Sequence, residues 1–227
     1  MTEKPKPVIA IDGPSASGKG SISRGLAAAL GYAHLETGLL YRYVGKEWLA
    51  RRRDVDDLDT ATTIATELNS RVRRSEGLEI LDDPALRTNA VAEAASMTSP
   101  HPLVRAALLE FQRNFAVQPP GGAKGAILDG RDIATVICPD APVKLFVTAS
   151  PEIRAERRRK ELQSLGEIAT YEQVLQEVRA RDQRDQTRKT APLIATAGSI
   201  TIDTSNLSAE DAIGIALGII RRTLPET

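Results

Sequence analysis

The most restrictive stretch of this 227-residue chain lies near its start, where Val8-Ile9-Ala10-Ile11 runs almost directly into Gly13-Pro14-Ser15-Ala16-Ser17-Gly18-Lys19. A continuous apolar, β-branched run without alternation suits a strand buried on both faces, as in a parallel sheet. Ile22, Leu26 and Leu30 then recur every four residues, so a helix follows the lysine, and Gly31 can end it in a left-handed conformation. Strand, glycine loop and helix in this order fit G-x-x-x-x-G-K. In that pattern glycines without Cβ let backbone N–H groups surround phosphates at the positive end of a helix, and the lysine reaches the outer phosphates. The serine or threonine that usually follows the lysine is absent; Gly20 stands there and Ser21 comes next.

The same alternation of strand and helix runs through the rest of the chain. Tyr32 to Leu35 reads as a short strand, and Leu40, Val44 and Trp48 mark a helix beginning after Thr37-Gly38. Ala126 to Leu128, Val143 to Val147 and Ile200 to Ile202 read as three more strands. Ser150-Pro151, Thr170 with Gln173, and Ser208 with Asp211 carry helix-start chemistry. A helix with Val104, Leu108, Phe111 and Phe115 on one face leads into the loop Pro119-Pro120-Gly121-Gly122, expected to be exposed. Between about 56 and 98 the pattern changes: Ile64 and Leu68 suggest a helix, and short runs flanking Ser75-Glu76-Gly77 suggest a hairpin, as in an inserted piece. The expectation is an α/β chain with a parallel sheet covered by helices, in one domain with appendages.

Thirty basic residues balance 30 acidic ones, so no whole-molecule field draws the chain to nucleic acid or to an anionic membrane. Aromatics are 4% of the residues and do not interleave with the arginines, which argues against a stacking platform for single strands. Cys138 is the single cysteine, which excludes an internal disulfide and a multi-cysteine zinc site and suits a reducing compartment. The apolar run at Val8 to Ile11 is too brief for a signal-peptide core or a membrane span, so a cytoplasmic protein is expected.

Four separated motifs, in order, resemble those of bacterial cytidylate kinases, which belong to the nucleoside monophosphate kinases. They are the phosphate loop within Ile9 to Ser21, Thr37-Gly-Leu-Leu-Tyr-Arg42, Asp129-Gly-Arg-Asp-Ile-Ala-Thr135 and Arg181-Asp-Gln-Arg-Asp-Gln-Thr-Arg188. The likeness covers nearly the whole chain. It implies a five-stranded parallel core that moves the γ-phosphoryl group of ATP to CMP or dCMP with Mg²⁺, an insert near 56–98 over the acceptor, and an arginine-rich lid near 152–168. A monomer is also implied. Leu81-Asp-Asp-Pro-Ala-Leu-Arg87 is shorter than the family's usual hairpin ending. Gly-Lys-Gly-Ser is how these kinases write the loop, so Ser21 is the candidate contact to phosphate or to Mg²⁺ and its water. Asp129, ending a strand, could hold Mg²⁺ through water, with a cap on the following turn as the alternative.

Two nucleotides placed end to end gather negative charge that must be offset before in-line transfer, and the guanidinium fork, always charged, suits that task. The resemblance assigns Arg42, Arg131 and Arg188 to the acceptor phosphate, with Thr37 and Tyr41 lining the same pocket. It assigns Ser96, Arg105 and Asp132 to cytosine, and Asp185 with Arg181 to the sugar hydroxyls. Gly13, Ser15, Ala16, Ser17, Gly18, Lys19, Gly20 and Ser21 would hold ATP together with Arg154, Arg157 and Arg158 of the lid. Lys19, Arg131, Arg157 and Arg158 would act on the transferring group. The acceptor phosphate is already ionised, so no general base is needed, and His34 and His101 are expected to be structural.

Two other readings are open at this point. A kinase for UMP, AMP or shikimate would share the loop and lid. A P-loop switch protein would need Asn-Lys-x-Asp for guanine, which is absent, and an Asp-x-x-Gly after a strand, whereas Asp211 to Gly214 lies in a helical pattern.

Overall fold

A computed structural model describes residues 5–51, 57–73 and 78–224, except the side chain of Arg73. The described strands are β1 (Val8–Asp12), β2 (Ala33–Glu36), β3 (Ala126–Gly130), β4 (Val143–Thr148) and β5 (Ile200–Asp203), and they form one parallel sheet in the order β2-β3-β1-β4-β5. The helices are α1 (Lys19–Leu30), α2 (Thr37–Arg51), α3 (Leu58–Arg73), α4 (Asn89–Thr98), α5 (Pro102–Val117), α6 (Pro151–Ser164), α7 (Tyr171–Thr187) and α8 (Ala209–Thr223). All five sequence-predicted strands are present. Helix α2 starts at Thr37, two residues before the expected point.

Both faces of the sheet are covered, which is why β1 needs apolar side chains on either side. Ile9, Ile11 and Ile127 pack against Ile22 and Leu26 of α1 and Ala216, Ile219 and Ile220 of α8. Ala10, Leu35 and Leu128 pack on the other face against Phe115 and Ala116 of α5. Two further clusters lie off the sheet. One, built on Trp48, Ile64, Leu68, Leu86 and Leu108, joins α2 to α3, α4 and α5. The other, Ala155, Leu162, Val174 and Val178, zips α6 to α7. Gly45 lets α2 and α4 meet closely, since a Cβ there would lie 2.7 Å from the Ala95 backbone nitrogen.

The local start signals act as expected. The Ser150 hydroxyl accepts from the Ile153 N–H, Thr170 and Gln173 form a reciprocal capping box, and the Ser208 hydroxyl accepts from the Asp211 N–H. Gly31 closes α1 at φ 67°. Helix α4 differs, because the Thr88 side chain makes no cap. The Asn89 N–H instead donates to the Glu167 carboxylate at 3.1 Å, and the Asn89 side-chain amide donates to Glu177 of α7 at 3.2 Å.

The hairpin expected around Ser75-Glu76-Gly77 is corrected on both flanks; residues 74–77 themselves lie outside the described residues. Helix α3 runs to Arg73 and Leu78–Leu81 form a 3-10 turn. The four-residue spacing of Ile64, Leu68 and Val72 continues the helical stripe, and Leu78, Ile80 and Leu81 spend their apolar surface on the same cluster. An isolated two-stranded ribbon offers less burial than that. At Pro119 to Gly122 the loop carries a short 3-10 turn, with Pro119 buried and the next three residues exposed.

Candidate active site

A cleft of about 760 Å³ opens above the carboxyl ends of β1 and β3, the edge where open parallel sheets receive ligands. Its floor is the phosphate loop. Gly13 sits at φ 155°, and a Cβ there would lie 2.0 Å from the Val147 carbonyl oxygen. Gly18 at φ 89° opens α1 with no side-chain cap, and Ala16 holds φ 56°, which a residue with a Cβ adopts at a cost. The first N–H groups of α1 thus have room to take a phosphate. The Lys19 ammonium donates to the Pro14 carbonyl at 3.1 Å. Burial first, and then Arg131, pushes its pKa down to about 7.

The wall facing Lys19 is rich in guanidinium groups. Arg131 Nε donates to Asp185 Oδ2 at 2.8 Å, and Arg188 Nη1 stands 4.0 Å from Asp185 Oδ1. Burial raises the Asp185 pKa, but Arg131 and Arg181 more than offset it, so the carboxyl sits below its usual range. Among the described residues, Arg181 Nε and Arg188 Nη2 are buried without partners. Burial and then Arg131 bring Arg181 down to about 9; burial and then Arg158 bring Arg42 to about 10. A set of desolvated cations that depress one another is a site waiting for an anion. Among the described residues, nine basic side chains line the cleft against five acidic ones.

At the far end, Arg105 of α5 forms an ion pair with Asp132, donates to the Ser99 carbonyl at 3.2 Å and lies over the Tyr41 ring at 5.4 Å. Arg105 and Asp132 are both buried and both line the cleft. Asp132 leads into a turn of π-helix, Ile133–Ile137. The Asp12 carboxylate holds that turn through the N–H groups of Ile133 and Ala134, each at 2.8 Å. Thr37 Oγ1 donates to the Asp129 carbonyl at 2.8 Å, and Arg42 Nη1 donates to the Leu86 carbonyl at 2.7 Å.

The structure therefore brings Ser15, Ala16, Gly18, Lys19, Gly20, Ser21 and Arg157 to one cleft with Thr37, Tyr41, Arg42, Arg105, Arg131, Asp132, Arg181, Asp185 and Arg188, with Asp129 between the two groups. Arg157 is fixed there by donating to Thr204 Oγ1 at 2.9 Å and to the Thr204 carbonyl at 2.8 Å. Gly13 and buried Ser17 shape the loop from beneath.

Three residues stand elsewhere. Arg154, expected to reach ATP, lies under the loop, where its two terminal nitrogens meet the Asp182 carboxylate at 2.9 and 2.5 Å and its Nε donates to the Ala149 carbonyl at 2.9 Å. Only one turn into α6, it is too close to the sheet to project into the cleft. Ser96, expected at the base, is buried and accepts from Arg184 Nε at 3.2 Å. Arg158 pairs with Glu161 at 2.8 Å and faces a side gap between α4 and the α6–α7 pair.

Arg154→Met removes one member of a buried ion pair. The expected result is a stability loss of about 3–5 kcal/mol by thermal or urea unfolding, with ATP affinity in the surviving folded protein changed less than by Arg157→Met.

Sequence reasoning missed several lining residues. Glu36, next to the Thr37 motif, accepts from Arg87 Nη2 at 3.0 Å, with Arg24 Nη1 3.7 Å away. Their only signal was adjacency to motifs. His34, expected to be structural, puts Nε2 2.7 Å from Asp129 Oδ2. For magnesium, the oxygens lining the cleft include the exposed Ser21 hydroxyl and the Asp129 carboxylate, with Glu36 held by Arg87. No group of three or more His, Cys, Asp or Glu forms a metal cage among the described residues. That sparse oxygen set fits Mg²⁺ held chiefly by phosphates and water. Among the described residues no helix is long and apolar enough to cross a membrane.

The family model described as "Cytidylate kinase" matches residues 9–222. A protein named cytidylate kinase from Paramagnetospirillum magneticum is 53% identical over 94% of this chain and 97% of its own length. Another so named, from Azorhizobium caulinodans, is 49% identical over 95% and 98%. The solved structure of an uncharacterized protein from Eubacterium ventriosum superposes with a TM-score of 0.51 at 14% identity, covering 96% of this chain and 99% of that one, which speaks for the fold alone.

Proposed function

Because this chain belongs to the cytidylate kinase family, we propose that it transfers the γ-phosphoryl group of Mg²⁺-bound ATP to CMP or dCMP, giving ADP with CDP or dCDP. The observation that carries the reading is the buried Arg105–Asp132 pair opening onto the same cleft as Lys19. A carboxylate held against a guanidinium offers an acceptor for the exocyclic amine of cytosine and a donor for its carbonyl. The phosphate loop and Arg157 hold ATP, with Lys19 on its outer phosphates. Arg42, Arg131 and Arg188 take the acceptor phosphate, and Asp185 with Arg181 takes the sugar hydroxyls. Magnesium, held by Ser21 and Asp129 with water and phosphate oxygens, supplies further neutralisation of charge. What remains for the protein is to align two anions and offset their repulsion.

The helices between about 56 and 98, with their own apolar cluster, would cover the acceptor, and α6 with the segment to 168 would close over ATP. We infer a monomer in the cytoplasm, testable by light scattering and fractionation. The deciding assay couples ADP release to each monophosphate in turn with ATP and Mg²⁺. CMP and dCMP should far exceed UMP, AMP and GMP; activity on UMP equal to that on CMP would remove Asp132 from its role.

A second expectation concerns protons. Burial and Arg131 hold Lys19 near pKa 7, below its ordinary 10.5, and a polyphosphate beside it would restore the charged form. Between those values binding therefore takes up a proton; at pH 8 the uptake from this group is about one proton, and below pH 6 it vanishes. Calorimetric titration of ATP in buffers of different ionisation enthalpy, with Lys19→Met as the reference, measures it. Identical buffer dependence in the two proteins at pH 8 would refute it.

A further inference from the structure

Asp129 is a buried carboxylate at the mouth of the phosphate loop, and His34 is the only donor to it among the described residues, with Nε2 2.7 Å from Oδ2. The two side chains are 15% and 3% exposed. Their meeting follows from the sheet register. His34 of β2 is paired with Ile127 of β3, so Asp129 is its diagonal neighbour on the same face, two residues farther toward the cleft. That face is the one on which α1 packs. The carboxylate is near enough to Lys19 to favour its charged form, and no protein donor reaches Oδ1 among the described residues.

A lone carboxylate with two rotatable bonds loses precision when nothing fixes it. One donor to one oxygen removes most of that freedom and leaves the other oxygen for a ligand. Nε2–H serves whether the ring is neutral in that tautomer or protonated. An aliphatic residue could fill the space beneath α1 without needing a partner, whereas a histidine there also supplies the donor to Asp129.

We propose that His34 is a positioning residue for the transfer reaction, holding Asp129 by its Oδ2 so that Oδ1 stays turned into the cleft toward the hydrated magnesium of the bound nucleotide. This rests on the reading of Asp129 as a water-mediated contact of that ion, and it gives His34 a role beyond filling the sheet.

The test is the gain in ATP affinity that Mg²⁺ confers, from calorimetric titrations with Mg²⁺ and with EDTA, for the parent, His34→Phe, His34→Gln, Asp129→Asn and the double variant. His34→Phe is expected to lower affinity for the magnesium complex about tenfold while metal-free ATP binding changes less than twofold. His34→Gln, which keeps an N–H donor, should recover most of the loss. The double variant should be no worse than Asp129→Asn, since the histidine acts only through that carboxylate.

If Asp129→Asn removes the magnesium gain and His34→Phe preserves it, the His34 role is overturned while the reading of Asp129 stands. If Asp129→Asn leaves the gain intact, both fall. Equal loss of metal-bound and metal-free ATP in His34→Phe would also overturn the proposal, because that is the mark of a damaged loop. Should the phenylalanine variant not fold, His34→Gln against His34→Leu gives the same comparison.

Discussion

Replacing Lys19 by methionine is expected to lower kcat by about a thousandfold or more, while the folded protein becomes no less stable than its parent. The first half follows from placement. The ammonium lies in a loop whose glycines exclude side chains and lines one cleft with Arg131, where on the proposed reading charge accumulates as the phosphoryl group moves. The second half follows from linkage. A lysine whose pKa is about 7 in the native state and 10.5 when unfolded binds fewer protons folded than unfolded through that window. Its presence therefore burdens the native state less as pH rises from 7 to 10.5, and most at pH 7 and below. Removing it lifts that burden. Melting curves at pH 6.5 should show an equal or higher midpoint for the variant, and single-turnover kinetics should show the lost chemistry. A variant that melted several degrees lower would mean that the loop needs the Lys19 bond to the Pro14 carbonyl in order to fold.

The second large effect is one of selectivity. Asp132→Asn should compress the ratio of kcat/KM for CMP over UMP by about a hundredfold, mainly through the loss on CMP. The carboxylate offers only acceptors; an amide can turn a donor toward the carbonyl that uracil presents in place of the amine. Arg105 loses its ion partner but keeps the Ser99 carbonyl and the Tyr41 ring, so the site survives in outline. The 133–137 turn is anchored independently by Asp12. The cost to stability appears in unfolding curves as an uncompensated buried guanidinium. Parallel losses on CMP and UMP would show that the carboxylate shapes the pocket without reading the base.

The parts of this protein legible in its sequence are those written within a few neighbouring residues. The β-branched run at Val8, the glycines that follow and the hydroxyls at Ser150, Thr170 and Ser208 each carry their structural reason locally, and each element starts where that reason placed it. The cleft gathers Arg42, Arg131 and Arg188 because each sits in a motif tied to the end of a strand or helix. What escaped was pairing across the chain. Arg154 and Arg157 look alike on the page; Asp182, 28 residues away, claims the first and Thr204 fixes the second. Ser96 is held by Arg184 over a separation of 88, and His34 finds Asp129 over 95. At residues 71–81 the failure was one of period, since short apolar runs beside a turn look alike whether they extend a helical stripe or pair as strands.

Glu167 completes the first turn of α4 from 78 residues away, while Thr88, the residue in position to do so, makes no cap of its own. Raising the segment that carries Glu167 would bare a helix end on the opposite side of the cleft, exposing an amide whose only described acceptor has departed. On the proposed reading, in which the helices near 56–98 and the segment near 152–168 cover the two nucleotides, the covers share this bond. Raising one is then expected to loosen the other, and hydrogen exchange at Asn89 should report the state of a loop in which Asn89 has no part.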